Sequence, residues 1–84
     1  MTNEELMALE VASTIDARGT ACPGPLLEAK RGMTKVPMGE VMVVLSSDES
    51  TNNDIPMWCK KVGHDFLGNV EADGYWQLFI KRGK

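Results

Sequence analysis

Long apolar runs, basic charge, cysteine and histidine are all in short supply in this chain, and each shortage excludes something. No stretch approaches the roughly 18 to 20 consecutive apolar residues that a spanning helix requires, so an integral membrane protein is not expected. Nine Lys and Arg against twelve Asp and Glu leave a formal net charge of −3. A surface of that sign offers no field for polyanions, and direct, tight nucleic-acid binding is not expected. Two cysteines and one histidine cannot complete a four-ligand zinc site without carboxylates. Cys22 and Cys59 also lack paired-ligand spacing, so no metal site is expected. Met1 to Glu10 has neither a basic start nor an extended apolar stretch, unlike a secretory leader. A reducing, cytoplasmic setting is therefore the expectation, with the two cysteines unpaired.

What is present is one small domain's worth of chain: 84 residues, 43% hydrophobic and 25% charged, enough for a single modest core. Its most pointed feature is Cys22-Pro23-Gly24-Pro25. Proline is pre-shaped for the first helical position and has no N–H to lose there, so Pro23 places Cys22 at or beside a helix N-cap. A thiol so placed meets the positive end of the helix dipole and free first-turn amides, which favour thiolate over thiol. Pro23 and Pro25 cannot donate, leaving Gly24, Leu26 and Leu27 as candidate donors to the sulfur. The competing reading is a cysteine buried as a small hydrophobe. Gly19-Thr20-Ala21 before it and Pro-Gly-Pro after it are loop and helix-start chemistry, which argues for the reactive thiol.

Along the chain, Thr2 with Glu5 matches a capping box, but few nearby residues could pin a helix there, and a frayed extension is the preferred reading of Met1 to Leu9. Val11 to Asp16 reads as a strand. A helix from Pro23 to about Lys35 puts Leu26, Ala29 and Met33 on one face. The unbroken apolar run within Glu40 to Ser46 reads as a central strand covered on both sides. Ser50 to Asn53 supplies N-caps for a second helix ending at Val62 before Gly63; Pro56 favours a cap at Asn53, or an irregularity if the helix starts earlier. Ile55, Trp58, Cys59 and Val62 share its apolar face, so Cys59 is expected to be buried. Phe66 to Ala72 and Tyr75 to Arg82 flank Asp73-Gly74, a hairpin signal. His64 is read as structural or surface, Trp58 and the methionines as core, and Lys81, Arg82 and Lys84 as a solvated tail. The expected fold is an α/β (α+β) two-layer sandwich in the order β-α-β-α-β-β, with two helices on one face of a mixed four-stranded sheet. Residues 1–10 form an N-terminal extension and 11–84 the domain.

Two blocks, Asp16-x-x-Gly19-x-x-Cys22-Pro23-x-Pro25 and Thr51-x-x-Asp54-Ile55-Pro56-x-x-Cys59 with His64 following, resemble the signature of the TusA, or SirA-like, family of sulfur carrier proteins. The resemblance runs through residues 11–84. It implies a fold like the C-terminal domain of bacterial translation initiation factor 3. It also implies that Cys22 accepts sulfane sulfur as a persulfide and hands it to a partner, with Asp16, Gly19, Pro23 and Pro25 as supporting motif and Gly24 at the motif's variable position. The implied partners are a donor such as a cysteine desulfurase or rhodanese and a downstream acceptor, in tRNA 2-thiouridine synthesis or in dissimilatory sulfur oxidation. No metal, nucleotide or flavin cofactor is called for. Lys30, Arg31 and Lys35, on the helix after the thiol, are candidates for steering an acidic partner surface. Two other readings stay open: a non-catalytic regulatory module, and a redox protein using Cys22 and Cys59.

Overall fold

The computed structural model of the chain describes residues 2–21 and 24–84. Its elements are α1 (Asn3–Met7), β1 (Val11–Asp16), α2 (Gly24–Met33), β2 (Val41–Ser46), α3 (Thr51–Val62), β3 (Asp65–Ala72) and β4 (Tyr75–Lys81). The four strands form one sheet in the order β1-β2-β4-β3. β1 and β2 run parallel, joined through α2 as a parallel pair requires, while β4 is antiparallel to both β2 and β3. This is the mixed sheet expected, and α2 and α3 cover one of its faces.

The pattern of β2 follows from its central place. Met42 and Val44 point into a core built with Ala29, Met33, Val36, Ile55, Cys59, Leu78 and Ile80. Val41 and Val43 point the other way and pack with Leu6 and Phe79. Both faces of the strand are therefore apolar, and alternation is absent. On β4 the alternation is visible because Leu78 and Ile80 serve the first core and Phe79 the second. Asp73-Gly74 closes the hairpin between Ala72 and Tyr75, which pair.

Four features depart from expectation. The N-terminal segment is not frayed: Thr2 caps α1, with its hydroxyl oxygen accepting from the Glu5 amide at 3.2 Å. Leu6, 2% exposed, anchors it on the sheet face away from α2 and α3, and burying one leucine contributes about 1.5–3 kcal/mol. Leu9 packs beside it, and these contacts with the sheet are what the sequence pattern understated.

Arg82 is not part of a solvated tail either. Its Nη1 donates to the carbonyls of Met33 (3.2 Å) and Val36 (2.6 Å), satisfying groups that the end of α2 leaves without helical partners.

Finally, α3 begins at Thr51, ahead of the Asn53 cap, so Pro56 lies inside it. The irregularity this demands is taken up before the proline. Thr51, Asn52 and Asn53 each donate to the carbonyl three residues back, at 3.0–3.1 Å. Ser46 and Thr51, both buried, share a 2.8 Å hydrogen bond beneath that turn. Of the expected apolar face, Ile55 and Cys59 are buried and Trp58 is half-buried. Val62, the last helical residue, is instead exposed and lines an open groove.

Candidate functional site

The chain leaves β1 into a loop that is tied down residue by residue. Ala17, nearly fully buried, donates its amide to the Leu45 carbonyl at 2.8 Å. Asp16 accepts twice from the Arg18 side chain, at 2.9 and 2.8 Å, and once from the Arg18 amide at 3.2 Å. The side-chain bonds and then the amide hold the Asp16 carboxyl down at about 2. The same guanidinium lies 4.8 Å from the centre of the Tyr75 ring, a cation–π contact that braces the loop against the start of β4.

Gly19 follows with φ +80°, a left-handed conformation that a side chain would oppose. Its amide donates to Ser47 Oγ at 2.9 Å, which fastens the loop to the segment after β2. Thr20 donates to the Ala17 carbonyl at 3.2 Å, and Gly24 to that of Ala21 at 2.8 Å. Pro25 is buried under the first turn of α2.

The first motif thus acquires a physical account for Asp16, Gly19, Gly24 and Pro25. Cys22 and Pro23, including the N-cap placement read for Cys22, lie outside the described residues. The Gly24 amide, one of three candidate donors to the sulfur, is engaged by Ala21, so the remaining candidates from that set are Leu26 and Leu27.

Beside the loop is an open depression of about 370 Å³ lined by Gly19, Thr20, Ala21, Ser47, Asp48 and Glu49. Asp48 is fixed there: its Oδ1 accepts from the Ser50 amide (2.9 Å) and hydroxyl (2.7 Å). The rim of the loop is therefore acidic on its β2–α3 side.

α2 ends at Met33, short of the expected Lys35, and the basic residues singled out there, Lys30, Arg31 and Lys35 just beyond it, do not share one face. Arg31 pairs with Glu28 at 3.3 Å, and both line a depression with Ser13, Ile15, Gly32 and Lys35 next to β1. Lys30 turns the other way, into a groove between α2 and α3 with Leu26, Asp54, Met57, Trp58 and Lys61. Toward the far ends of the helices this groove continues past His64, Arg82 and Lys84. Lys61 carries no role in the reading of the sequence, and Lys84, expected in a solvated tail, lines the groove instead. The available signal was Lys60-Lys61 in the last turn of α3, where cations complement the helix dipole.

Cys59 and His64 are structural. The Cys59 thiol, 1% exposed, is pushed up to about 12, mainly by burial and also by the Asp65 charge. His64 Nδ1 accepts from the Gly83 amide at 3.1 Å, and its ring meets Trp58 edge-on at 5.2 Å. Burial, and then Arg82, lower its pKa against the opposing pull of Asp65. Among the described residues no three His, Cys, Asp or Glu side chains are grouped to hold a metal ion, and no helix is long and apolar enough to cross a membrane.

Comparison with known proteins adds an independent line. Residues 13–82 match the family model described as Sulfurtransferase TusA. A putative sulfur carrier protein of Archaeoglobus fulgidus is 47% identical over 70 residues, covering 83% of this chain and 96% of the relative. Sulfur carrier protein TusA of Pseudomonas entomophila is 34% identical over 70 residues, covering 83% and 88%. The crystal structure of a SirA-like protein from Desulfitobacterium hafniense superposes with a TM-score of 0.74 at 26% identity, covering 86% of this chain and 99% of that one.

Proposed function

Because the chain belongs to the TusA sulfurtransferase family, we propose that it is a sulfur carrier that holds sulfane sulfur as a persulfide on Cys22 and passes it to a partner protein. The Cys22 thiolate attacks the outer sulfur of a donor persulfide. The donor's S–S bond breaks and its own sulfur departs as a thiolate with the bonding pair. The acceptor thiolate then attacks the outer sulfur of the Cys22 persulfide and releases the Cys22 thiolate. Each exchange forms one S–S bond as it breaks another, so no net oxidant is consumed and no resident cofactor is needed.

The observation that carries this reading is the setting on either side of Cys22. Ala21 before it is exposed, and Gly24, two residues after it, opens a ten-residue helix. Exposed chain before the cysteine and a helix start after it support the reading of a reactive thiol, because access and thiolate fraction set the exchange rate. The alternative of a two-cysteine redox protein is disfavoured because Cys59 is buried with its thiol held protonated.

The donor is read as a cysteine desulfurase or rhodanese, and the pathway as tRNA 2-thiouridine synthesis or sulfur oxidation in the cytoplasm. Partner proteins do any RNA recognition, given a net charge of −3. The test is intact-protein mass after incubation with a cysteine desulfurase and cysteine, and separately with polysulfide. Gain of one sulfur atom, reversed by a reductant, supports the carrier. Failure to gain sulfur from either source favours a non-catalytic regulatory module.

A further inference from the structure

We infer that α1 is a strap that opens independently of the rest of the fold. It is held on the sheet by Leu6, seated in a notch that Gly68 leaves in β3, and opening it uncovers an apolar face. On the side of the sheet away from α2 and α3, Val41, Val43 and Phe79 are buried with Leu6, and Leu9 and Val70 pack against them. Gly68 makes the seat. A Cβ there would stand 2.9 Å from Leu6 Cδ1, too close for both to stay in place. The same glycine has φ +148°, and the pairing of β3 with β4 shifts register between Phe66 and Gly68. A bulge of this kind bends its strand and suits glycine, so one residue supplies both the bend and the room for the leucine.

The hold is narrow. Among residues 2–10 Leu6 is buried and Leu9 half-buried, while the others reach solvent. α1 spans five residues, too few to persist as a helix unaided. Its bonds from the Leu6 amide to the Thr2 carbonyl (3.0 Å) and from the Ala8 amide to the Glu4 carbonyl (3.1 Å) therefore form and break with the seating of Leu6. β2, by contrast, is paired on both sides and serves both cores. An element with so little burial opens at far lower free energy than a central strand. The family match begins at residue 13, after α1, so the strap lies outside the matched domain. While seated, residues 2–9 occupy the face made by Val41, Val43 and Phe79. Once open, a contiguous apolar face of this kind is a site of association.

The test is amide hydrogen exchange, resolved residue by residue, in the full chain and in Leu6→Ala, with binding of an apolar fluorescent dye followed in parallel. Alanine is a strong helix former, so any loss of protection reports the lost anchor. In the parent chain the Leu6 and Ala8 amides should exchange roughly a hundredfold faster than the slowest amides of β2. In Leu6→Ala, protection of α1 should vanish and dye binding rise several-fold while β2 stays protected. A common exchange rate for α1 and β2 in either chain would overturn the strap, and dye binding unchanged by the loss of α1 protection would overturn the uncovered face.

Gly68→Ala tests the notch. Its new Cβ displaces Leu6 in the parent but meets no leucine in Leu6→Ala, whereas backbone strain at φ +148° is common to both. Gly68→Ala should therefore lower the denaturation midpoint more in the parent than in the Leu6→Ala background. Equal shifts would overturn the notch. Should Gly68→Ala fail to fold, exchange and dye binding in Leu6→Ala decide the matter.

Discussion

The segments that flank the two cysteines differ in kind. Before Cys22 in the sequence, Gly19, Thr20 and Ala21 are exposed, and after it α2 opens at Gly24. Cys59 sits in the middle of α3 against Ile55 and the sheet, where burial pushes its thiol up to about 12. The contrast teaches that position in the chain, more than the side chain itself, decides what a thiol can do. A thiol needs solvent and nearby donors to become a nucleophile, whereas the same atom in a core behaves as a small apolar group.

The comparison breaks most visibly by substitution. Cys22→Ser should abolish sulfur relay from donor to acceptor, because the hydroxyl is not a sulfur nucleophile, with the thermal midpoint nearly unchanged. A relay assay with this variant checks it, and surviving relay would move the chemistry elsewhere. Cys59→Ala should do the opposite, retaining relay while losing on the order of 1 kcal/mol of stability to a small cavity. Chemical denaturation measures that loss. An unaltered midpoint would mean that the site collapses around the missing sulfur.

Smaller effects sharpen the same contrast. Reversing Lys30 and Lys61, which share the groove between α2 and α3, should slow transfer from an acidic donor by roughly three- to tenfold without altering Cys22 alkylation. Reversing Arg31 and Lys35, which lie next to β1, should slow it less. Equal effects of the two pairs would make the helix merely a solvated charge surface.

Mild acid should act on the α3 side alone. The pKa of His64 is lowered in the folded chain, so the unfolded chain binds more protons as pH falls. The stability linked to neutral His64 is complete above the unfolded value near 6.5 and is lost as pH falls through the folded value. The thermal midpoint should therefore drop modestly between pH 7 and 5, and His64→Gln should flatten that slope. The pair of Asp16 with Arg18 stays charged throughout this window, since Asp16 titrates at about 2.

Much of this was legible in the residues themselves. β1, β2 and the hairpin follow from runs and turn residues whose signals are local. The burial of Cys59 follows from spacing on one helix. What escaped were contacts between residues distant in sequence. Arg82 caps α2 across 46 to 49 residues, which no periodicity announces. Lys30 and Lys61 share a groove only because α2 and α3 lie side by side, and the sequence of one helix does not name the residues of the other that it will face.

The central claim is that one cysteine carries sulfur and the other packs. Its most direct test is site-resolved mass spectrometry of the unsubstituted, folded chain after treatment with a sulfur donor, with peptides assigned to each cysteine. The account predicts one added sulfur atom on Cys22 and none on Cys59. Sulfur on Cys59, or a disulfide joining the two, would contradict it.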